Sequence, residues 1–324
     1  MAATRSSEDM AVPPPTLKQR FRAWWEGYDI VRRSGGADGT DSDMEQDAAM
    51  ARMAAGAAAG KHLNRSGKPL WTATRIEVVE KIWGPGFCTP GSAEFIPTLV
   101  KPLGLNPAMS VLDIGAGLGG ATRAMAQQYG AWVTGLEPNP TLAEGGAFRS
   151  QKAGLARQAP VLPCDLENFA WSKRVDAIFS KEAFFSVRNK DGLIDAIEMA
   201  LKPRGQLLFT DYVLDHSQLR GRDYDGWLQS EPVEPNPWTV EQYAAALAQR
   251  NLDIRITEDN SDTQRSLILN AIQSLVKHLE TVAMDRDTKI AVVEEVEMWA
   301  RRVAALSAGL RYYRFYALKP AELE

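Results

Sequence analysis

From residue 107 onward the hydrophobic residues follow two rhythms. Short apolar runs over 109–114, 131–137, 160–164, 175–180 and 206–212 have the length and composition of buried strands. Between them, residues 118–129, 141–153 and 191–201 place apolar side chains at helical spacing. Apolar strands alternating with helices predict a parallel sheet covered on both faces. Further on, 240–250 reads as a helix, 252–257 as extended, and 310–318 as a closing, aromatic-rich strand. Residues 258–309 are mostly helical by pattern, and so long an insertion before the last strand predicts a lid over the sheet's carboxyl edge.

The amino-terminal part has a different texture. Residues 1–15 are small and polar and end in Pro13-Pro14-Pro15, the composition of a flexible tail. Over 16–31, Leu17, Phe21, Trp24, Trp25 and Tyr28 fall on one helical face with Lys18, Arg20 and Arg22 interleaved. Such a helix suits either a membrane surface or, the favoured reading, an arm packed on its own core or on a second subunit. A Gly/Asp/Ser-rich link over 34–43 leads to the Ala-rich run 44–59, a second helix by propensity. The expected organisation is a tail and helical arm over 1–75 and one main domain over 76–320 carrying the 258–309 lid. An arm behind a flexible link is expected to exchange between subunits, so a homodimer is anticipated.

Composition narrows the chemistry. The 324 residues, 45% hydrophobic and 24% charged, suffice for one sizeable core with an appendage. Lysine plus arginine number 37 against 41 acids, a net charge of -4, which gives no electrostatic reason to expect nucleic acid. Two cysteines, Cys88 and Cys164, and three scattered histidines, His62, His216 and His278, have no metal-ligand spacing and form no disulfide framework or Cys/His nucleophilic set. No secretory start and no run of about eighteen apolar residues is found, so a cytoplasmic protein without an integral membrane segment is expected.

The most informative motif is Val111-Leu112-Asp113-Ile114-Gly115-Ala116-Gly117-Leu118-Gly119-Gly120, an apolar strand running through glycines into a helix. Glycines at such a turn permit positive φ and close ligand approach, and free N–H groups at the helix start favour a carboxylate or phosphate. Glu137 ends the next strand, twenty-two residues after Gly115, where a carboxylate accepts the hydroxyls of a ribose. A nucleoside is the expected ligand. Gly115-x-Gly117-x-x-Gly120 also fits a dinucleotide fingerprint and does not by itself separate a nicotinamide cofactor from S-adenosylmethionine. Downstream, Asp165 offers a carboxylate to an adenine amino group and Leu166 an apolar neighbour for the ring, with a helix cap as the alternative reading of Asp165. Ser180-Lys181-Glu182 follows the fourth strand, and Leu201-Lys202-Pro203-Arg204-Gly205 reads as a turn before the fifth.

This ordered set resembles the class I S-adenosylmethionine-dependent methyltransferases over residues 76–320. The resemblance implies an α/β, Rossmann-like seven-stranded sheet with its last strand antiparallel and S-adenosyl-L-methionine across the carboxyl ends of the first strands. It implies cofactor contacts for Phe87, Thr89, Gly91, Asp113, Gly115, Gly117, Glu137, Pro138, Asp165, Leu166, Lys181 and Glu182. Within the class, the pattern is similar to phosphoethanolamine N-methyltransferases, through Trp83-Gly84-Pro85-Gly86-Phe87-Cys88-Thr89-Pro90-Gly91, Thr210-Asp211-Tyr212, Thr239-Val240-Glu241-Gln242-Tyr243 and Trp299-Ala300-Arg301-Arg302. That likeness implies an amine-holding acid at Glu182, a substrate-contacting tyrosine at Tyr212 and a basic phosphate contact near Arg302.

The chain also departs from that family. Its catalytic tyrosine and histidine align with Val79 and Ser186, and further phosphate contacts align near Val233 and Pro235. Beside Phe184 and Phe185, this makes the acceptor region more apolar and favours a less polar amine, a phenol or a lipid-like substrate. Glu182 and Tyr212 are the expected catalytic pair, with Trp83, Ser186, Tyr212, Trp238 and Arg302 around the acceptor and no metal. Methyl transfer from a sulfonium is an in-line displacement, and orientation alone can contribute roughly 7–11 kcal/mol. The expected activity is methylation (EC 2.1.1 class) of a small or medium-sized acceptor, nitrogen favoured. An NAD-dependent oxidoreductase and a non-catalytic binding module of the same fold are the alternatives.

Overall fold

The computed structural model describes residues 63–64, 67–216, 221–279 and 283–321. By its contacts the chain divides into Met1–Ala54 and Ala55–Glu324, and every described residue belongs to the second unit. The helices expected over 16–31 and 44–59 and the link between them lie outside the described residues.

The described chain begins with helices α1 (Ala73–Trp83) and α2 (Ile96–Val100). The alternation anticipated from the hydrophobic pattern follows as β1 (Ser110–Ile114), α3 (Gly120–Tyr129), β2 (Trp132–Glu137), α4 (Pro140–Lys152), β3 (Val161–Pro163), β4 (Val175–Lys181), α5 (Lys190–Ala200) and β5 (Leu201–Leu214). After α6 (Arg222–Ser230), α7 (Val240–Gln249) and β6 (Asp253–Asp259) come two long helices, α8 (Ser261–Leu279) and α9 (Arg286–Leu306), and the closing strand β7 (Leu310–Leu318).

The seven strands form one sheet in the order β3-β2-β1-β4-β5-β7-β6. β1 pairs in parallel with both β2 and β4, and β4 in parallel with β5. β7 runs antiparallel between β5 and β6, so the last strand has the expected direction. The strand order reverses between β1 and β4, and at such a switch point the helices leave the sheet on opposite faces and open a crevice at the carboxyl ends. Central strands buried on both faces need apolar residues throughout, and Val111, Leu112 and Ile114 of β1 and Ala177, Ile178 and Phe179 of β4 are each at most 1% exposed. Ile194 and Ile197 of α5 and Tyr243 and Leu247 of α7 complete the main core with Phe209 and Phe315, whose rings stack at 4.7 Å.

Local chemistry sets the element boundaries. Thr239 and Gln242 form a reciprocal capping box at the start of α7. β3 is only three residues long and ends at Pro163, which has no N–H to extend a ladder at the sheet edge. Residues 201–205, which read as a turn, instead begin β5: Leu201 pairs with Val175, the register then shifts, and Arg204 turns the backbone at φ 63°. The expected lid starts later than its pattern suggests, because Glu258 and Asp259 remain paired with β7 and helix begins at Ser261, whose N–H bonds the Asp259 carboxylate. α8 and α9 pack against each other and against α1.

Candidate active site

The crevice starts at the end of β1. Gly115, Gly117 and Gly119 all take positive φ, and a Cβ at Gly115 would lie 2.2 Å from the Ala183 methyl. Only glycine lets β1 and the start of the Ala183 turn approach so closely. Glu137, at the end of β2, closes on this loop: Oε2 accepts the Gly117 N–H at 2.7 Å and Oε1 accepts the Asn139 N–H at 2.8 Å. Burial pushes the Glu137 carboxyl up to about 7 against those two hydrogen bonds. Asp113 on β1 accepts the Thr122 hydroxyl at 2.6 Å, and burial raises its carboxyl to about 6. Asp165 caps a 3-10 turn over Leu166–Asn168, accepting from the Glu167 N–H, so its capping alternative is realised while it also borders the crevice.

At the end of β4, Lys181 donates to the Thr89 hydroxyl and, at 3.1 Å, to Glu182. Glu182 itself has φ 57°, a left-handed conformation worth of order 1–3 kcal/mol of strain in a residue with a Cβ. The surroundings hold it there. Its carboxylate accepts from Tyr212 Oη at 3.2 Å, Gln264 Nε2 at 3.1 Å and Tyr312 Oη at 3.4 Å, and Arg302 Nη1 lies at 3.5 Å. Burial, then the Glu182 charge, raises the Tyr212 phenol well above its ordinary value, so it remains a hydrogen-bond donor.

Helix α9 and the segment that follows α6 close the other side. Arg302 of α9 forks onto Glu231, Nη2 to Oε2 at 2.8 Å with Nε on Oε1, while the Trp227 indole N–H reaches the same Oε1 at 2.6 Å. Its guanidinium lies 4.4 Å from the Trp299 ring centroid and 5.3 Å from that of Phe185. Burial, which disfavours the Arg302 cation, is outweighed by Glu231, and its pKa is raised. Glu295 is shared between Arg75 of α1 at 2.9 Å and the Trp299 indole at 3.0 Å.

These walls enclose a cavity of about 1050 Å³. Of the expected residues, Phe87, Thr89, Asp113, Gly115, Gly117, Glu137, Pro138, Asp165, Leu166, Lys181, Glu182, Ser186 and Arg302 border it. Gly91, Trp83, Tyr212 and Trp238 stand outside its lining. Tyr212 is fully buried against Glu182, Trp83 meets Trp299 edge-on at 4.7 Å, and Trp238 packs on Tyr243. Sequence reasoning passed over Glu231, Glu295, Arg75, Gln264 and Tyr312. A signal existed for two of them: Trp227 with Glu231 and Glu295 with Trp299 are each four residues apart, the spacing at which helical side chains meet. Among the described residues, no group of three or more His, Cys, Asp or Glu side chains is placed to hold a metal, and no helix is long and apolar enough to cross a membrane.

The residues at the sheet end of the cavity fit a sulfonium nucleoside better than a pyrophosphate. Asp113, Glu137 and Asp165 all face this end. Carboxylates accept ribose and amino donors and repel phosphate. A family model for a methyltransferase domain matches residues 91–255, half of the chain. Phosphoethanolamine N-methyltransferase 1 of Zea mays is 26% identical over 77% of this chain and 49% of its own length. A solved Haemonchus contortus phosphoethanolamine N-methyltransferase 2 in complex with S-adenosyl-L-methionine superposes with TM-score 0.69 and 22% identity, over 77% of this chain and 57% of that one. A putative sarcosine dimethylglycine methyltransferase from Galdieria sulphuraria gives TM-score 0.63 at 17% identity, over 76% of this chain and 98% of that one. The chain thus spans about half the length of the Zea mays relative. Strand order, glycine loop, β2 carboxylate and family match agree: this chain belongs to the methyltransferase-domain family and has the class I fold of S-adenosylmethionine-dependent methyltransferases.

Proposed function

We propose that this chain transfers a methyl group from S-adenosyl-L-methionine to a small or medium-sized acceptor, with nitrogen favoured over oxygen and carbon. The observation that carries the reading is the buried Glu137 carboxylate bound to the Gly117 N–H at the switch point of the sheet. When bound, the cofactor supplies an electrophilic methyl on a sulfonium. The chain's own residues hold, orient and exclude water. Glu137 has lone pairs left for ribose hydroxyls, Asp165 and Leu166 suit an adenine, and Asp113, Gly115 and Lys181 suit the amino-acid portion. Glu182 is the proposed acceptor-orienting residue, bordering the cavity with a side chain that is itself fully buried, and Tyr212, which holds Glu182 from behind, is its positioning residue. Ser186 and Arg302 border the acceptor end, while Trp83 acts through Trp299. The Zea mays and Haemonchus contortus relatives, both named as N-methyltransferases, support nitrogen as the acceptor atom.

The proposed organisation is an arm over 1–75 and a methyltransferase domain over 76–320, with the insertion expected over 258–309, whose helices begin at Ser261, as its lid. Pairing of two copies through the arm, no nucleic-acid partner and a cytoplasmic setting complete the proposal; the free thiols of Cys88 and Cys164 suit a reducing compartment. A binding module without turnover is the second reading, favoured by the enclosure of Glu182 among its donors. Calorimetry with S-adenosylhomocysteine and NADH, followed by a methylation panel of amines, phenols and lipids, tests all readings. The expected result is binding of the former nucleoside and turnover of an amine. NADH binding alone refutes the cofactor, and nucleoside binding without any turnover favours the module.

A further inference from the structure

The acceptor half of the cavity is walled by cations that are already neutralised. Arg302 is forked on Glu231, Arg75 bonds Glu295 at 2.9 Å and, at the exposed rim, Arg188 bonds Glu234 at 2.6 Å. The Arg302 pair is the decisive one. Its side chains are 7% and 2% exposed and both face the cavity; the two carboxylate oxygens of Glu231 take the Nε–Nη2 edge of the guanidinium, and Glu182 Oε2 lies 3.5 Å from the remaining Nη1, so an incoming phosphate or carboxylate meets a carboxylate at either edge. An anion entering there would displace a carboxylate of like charge and similar geometry and leave Glu231 stranded in a low-dielectric wall. Breaking such a buried pair costs about a hundredfold or more in binding. The remaining surface is apolar, built by Phe185, Val233, Met298 and Trp299.

Resting on the reading of this crevice as a methyltransferase site, we propose that Glu231 permanently occupies the anion position on Arg302, so the methyl acceptor carries no phosphate or carboxylate and presents an uncharged, apolar body to Phe185, Met298 and Trp299. The internal carboxylate does what a substrate anion would do, holding the guanidinium over the Trp299 ring. The acceptor then gains its affinity from apolar contact, and selectivity against phosphorylated amines arises from like-charge repulsion.

The test uses the full-length chain and calorimetry. S-adenosylhomocysteine is titrated first; its failure to bind refutes the cofactor reading, a result distinct from the acceptor titrations. The wild-type protein is then titrated with phosphoethanolamine and with N-methylaniline, a neutral aromatic amine, and the wild type and Glu231→Gln are compared for inorganic phosphate. We expect N-methylaniline to bind at least about tenfold more tightly than phosphoethanolamine, and E231Q to raise phosphate affinity by at least about tenfold, the yield of one charge-assisted contact. Adding Arg302→Met to E231Q should abolish that gain. Equal or undetectable binding of the two amines by the wild type, or unchanged phosphate affinity in a folded E231Q, overturns the proposal. If E231Q gives no cooperative melt, the wild-type comparison alone decides.

Discussion

Replacing Glu137 by glutamine tests the cofactor end of the site with a change of a single functional group. The native carboxylate accepts two backbone N–H groups, from Gly117 at 2.7 Å and Asn139 at 2.8 Å. An amide has one oxygen, so Glu137→Gln satisfies one of them and turns an NH2 toward the other. An unmet buried donor costs about 1–3 kcal/mol. For a domain of this size that lowers Tm by about 2–10 °C. Affinity should fall as well, because the amide has lost acceptor capacity for the ribose, and a weakening of about 10- to 100-fold for S-adenosylhomocysteine matches the same energies. The pH dependence is the sharper readout. The Glu137 carboxyl is raised from 4.5 to about 7, so between those values the native state holds a proton that the unfolded state has released. Its contribution to stability is therefore complete below pH 4.5 and is lost as pH rises through 7. Ribose binding, which needs the deprotonated form, should strengthen over the same range, by about tenfold between pH 6 and 8 for a group titrating near 7. Asp113, raised to about 6, and Asp211, raised to about 7, remain in the variant, so the difference between the two proteins isolates Glu137. Calorimetric titration from pH 5.5 to 8.5 is the assay. Identical pH profiles for the wild type and E137Q would refute the reasoning.

Gly115→Ala sets a methyl 2.2 Å from Ala183 at φ 80°, and the combined clash and left-handed strain should cost about 2–4 kcal/mol and abolish nucleoside binding; a melt within 2 °C of wild type (about 0.5–1 kcal/mol) would contradict that packing. Glu80 of α1 ties the loop before α2 to α4, accepting the Gly86 N–H at 2.6 Å and both Arg149 donors at 2.8 and 2.6 Å. Its carboxyl is opposed by burial but lowered by Arg149 and Gly86, so its stabilisation is present above pH 4.5 and fades as pH falls further. Glu80→Gln should lower Tm at pH 7, weaken S-adenosylhomocysteine several-fold through the Phe87–Thr89 segment, and approach the wild type progressively in melts as pH falls below 4.5; a constant gap across pH would argue against the ion pair.

The hydrophobic pattern alone determined the alternating α/β order, because strands buried on both faces and helices buried on one face cannot share a periodicity. The glycine loop and Glu137 were equally legible, since a strand, a tight turn, a helix start and a carboxylate at the next strand end are local features with fixed spacing. The start of β5 was not legible. Residues 201–205 look like a turn, and only pairing of Leu201 with Val175 draws them into the sheet.

Long-range contacts decided the side of the crevice away from the glycine loop. Glu231 and Arg302 are seventy-one residues apart, and Gln264 meets Glu182 across eighty-two, so nothing in local spacing links them. Trp238 and Tyr212 suit a pocket by residue type, yet the antiparallel β7 makes Tyr212 core and the packing of α7 lays a partly buried Trp238 against that core. Sequence by itself determined the backbone plan and the nucleoside-facing loop, because these depend on short-range periodicity and turn chemistry. Only the tertiary structure decided which charges neutralise one another above the sheet, because ion pairing in a buried wall depends on which distant helices the fold brings within hydrogen-bond reach.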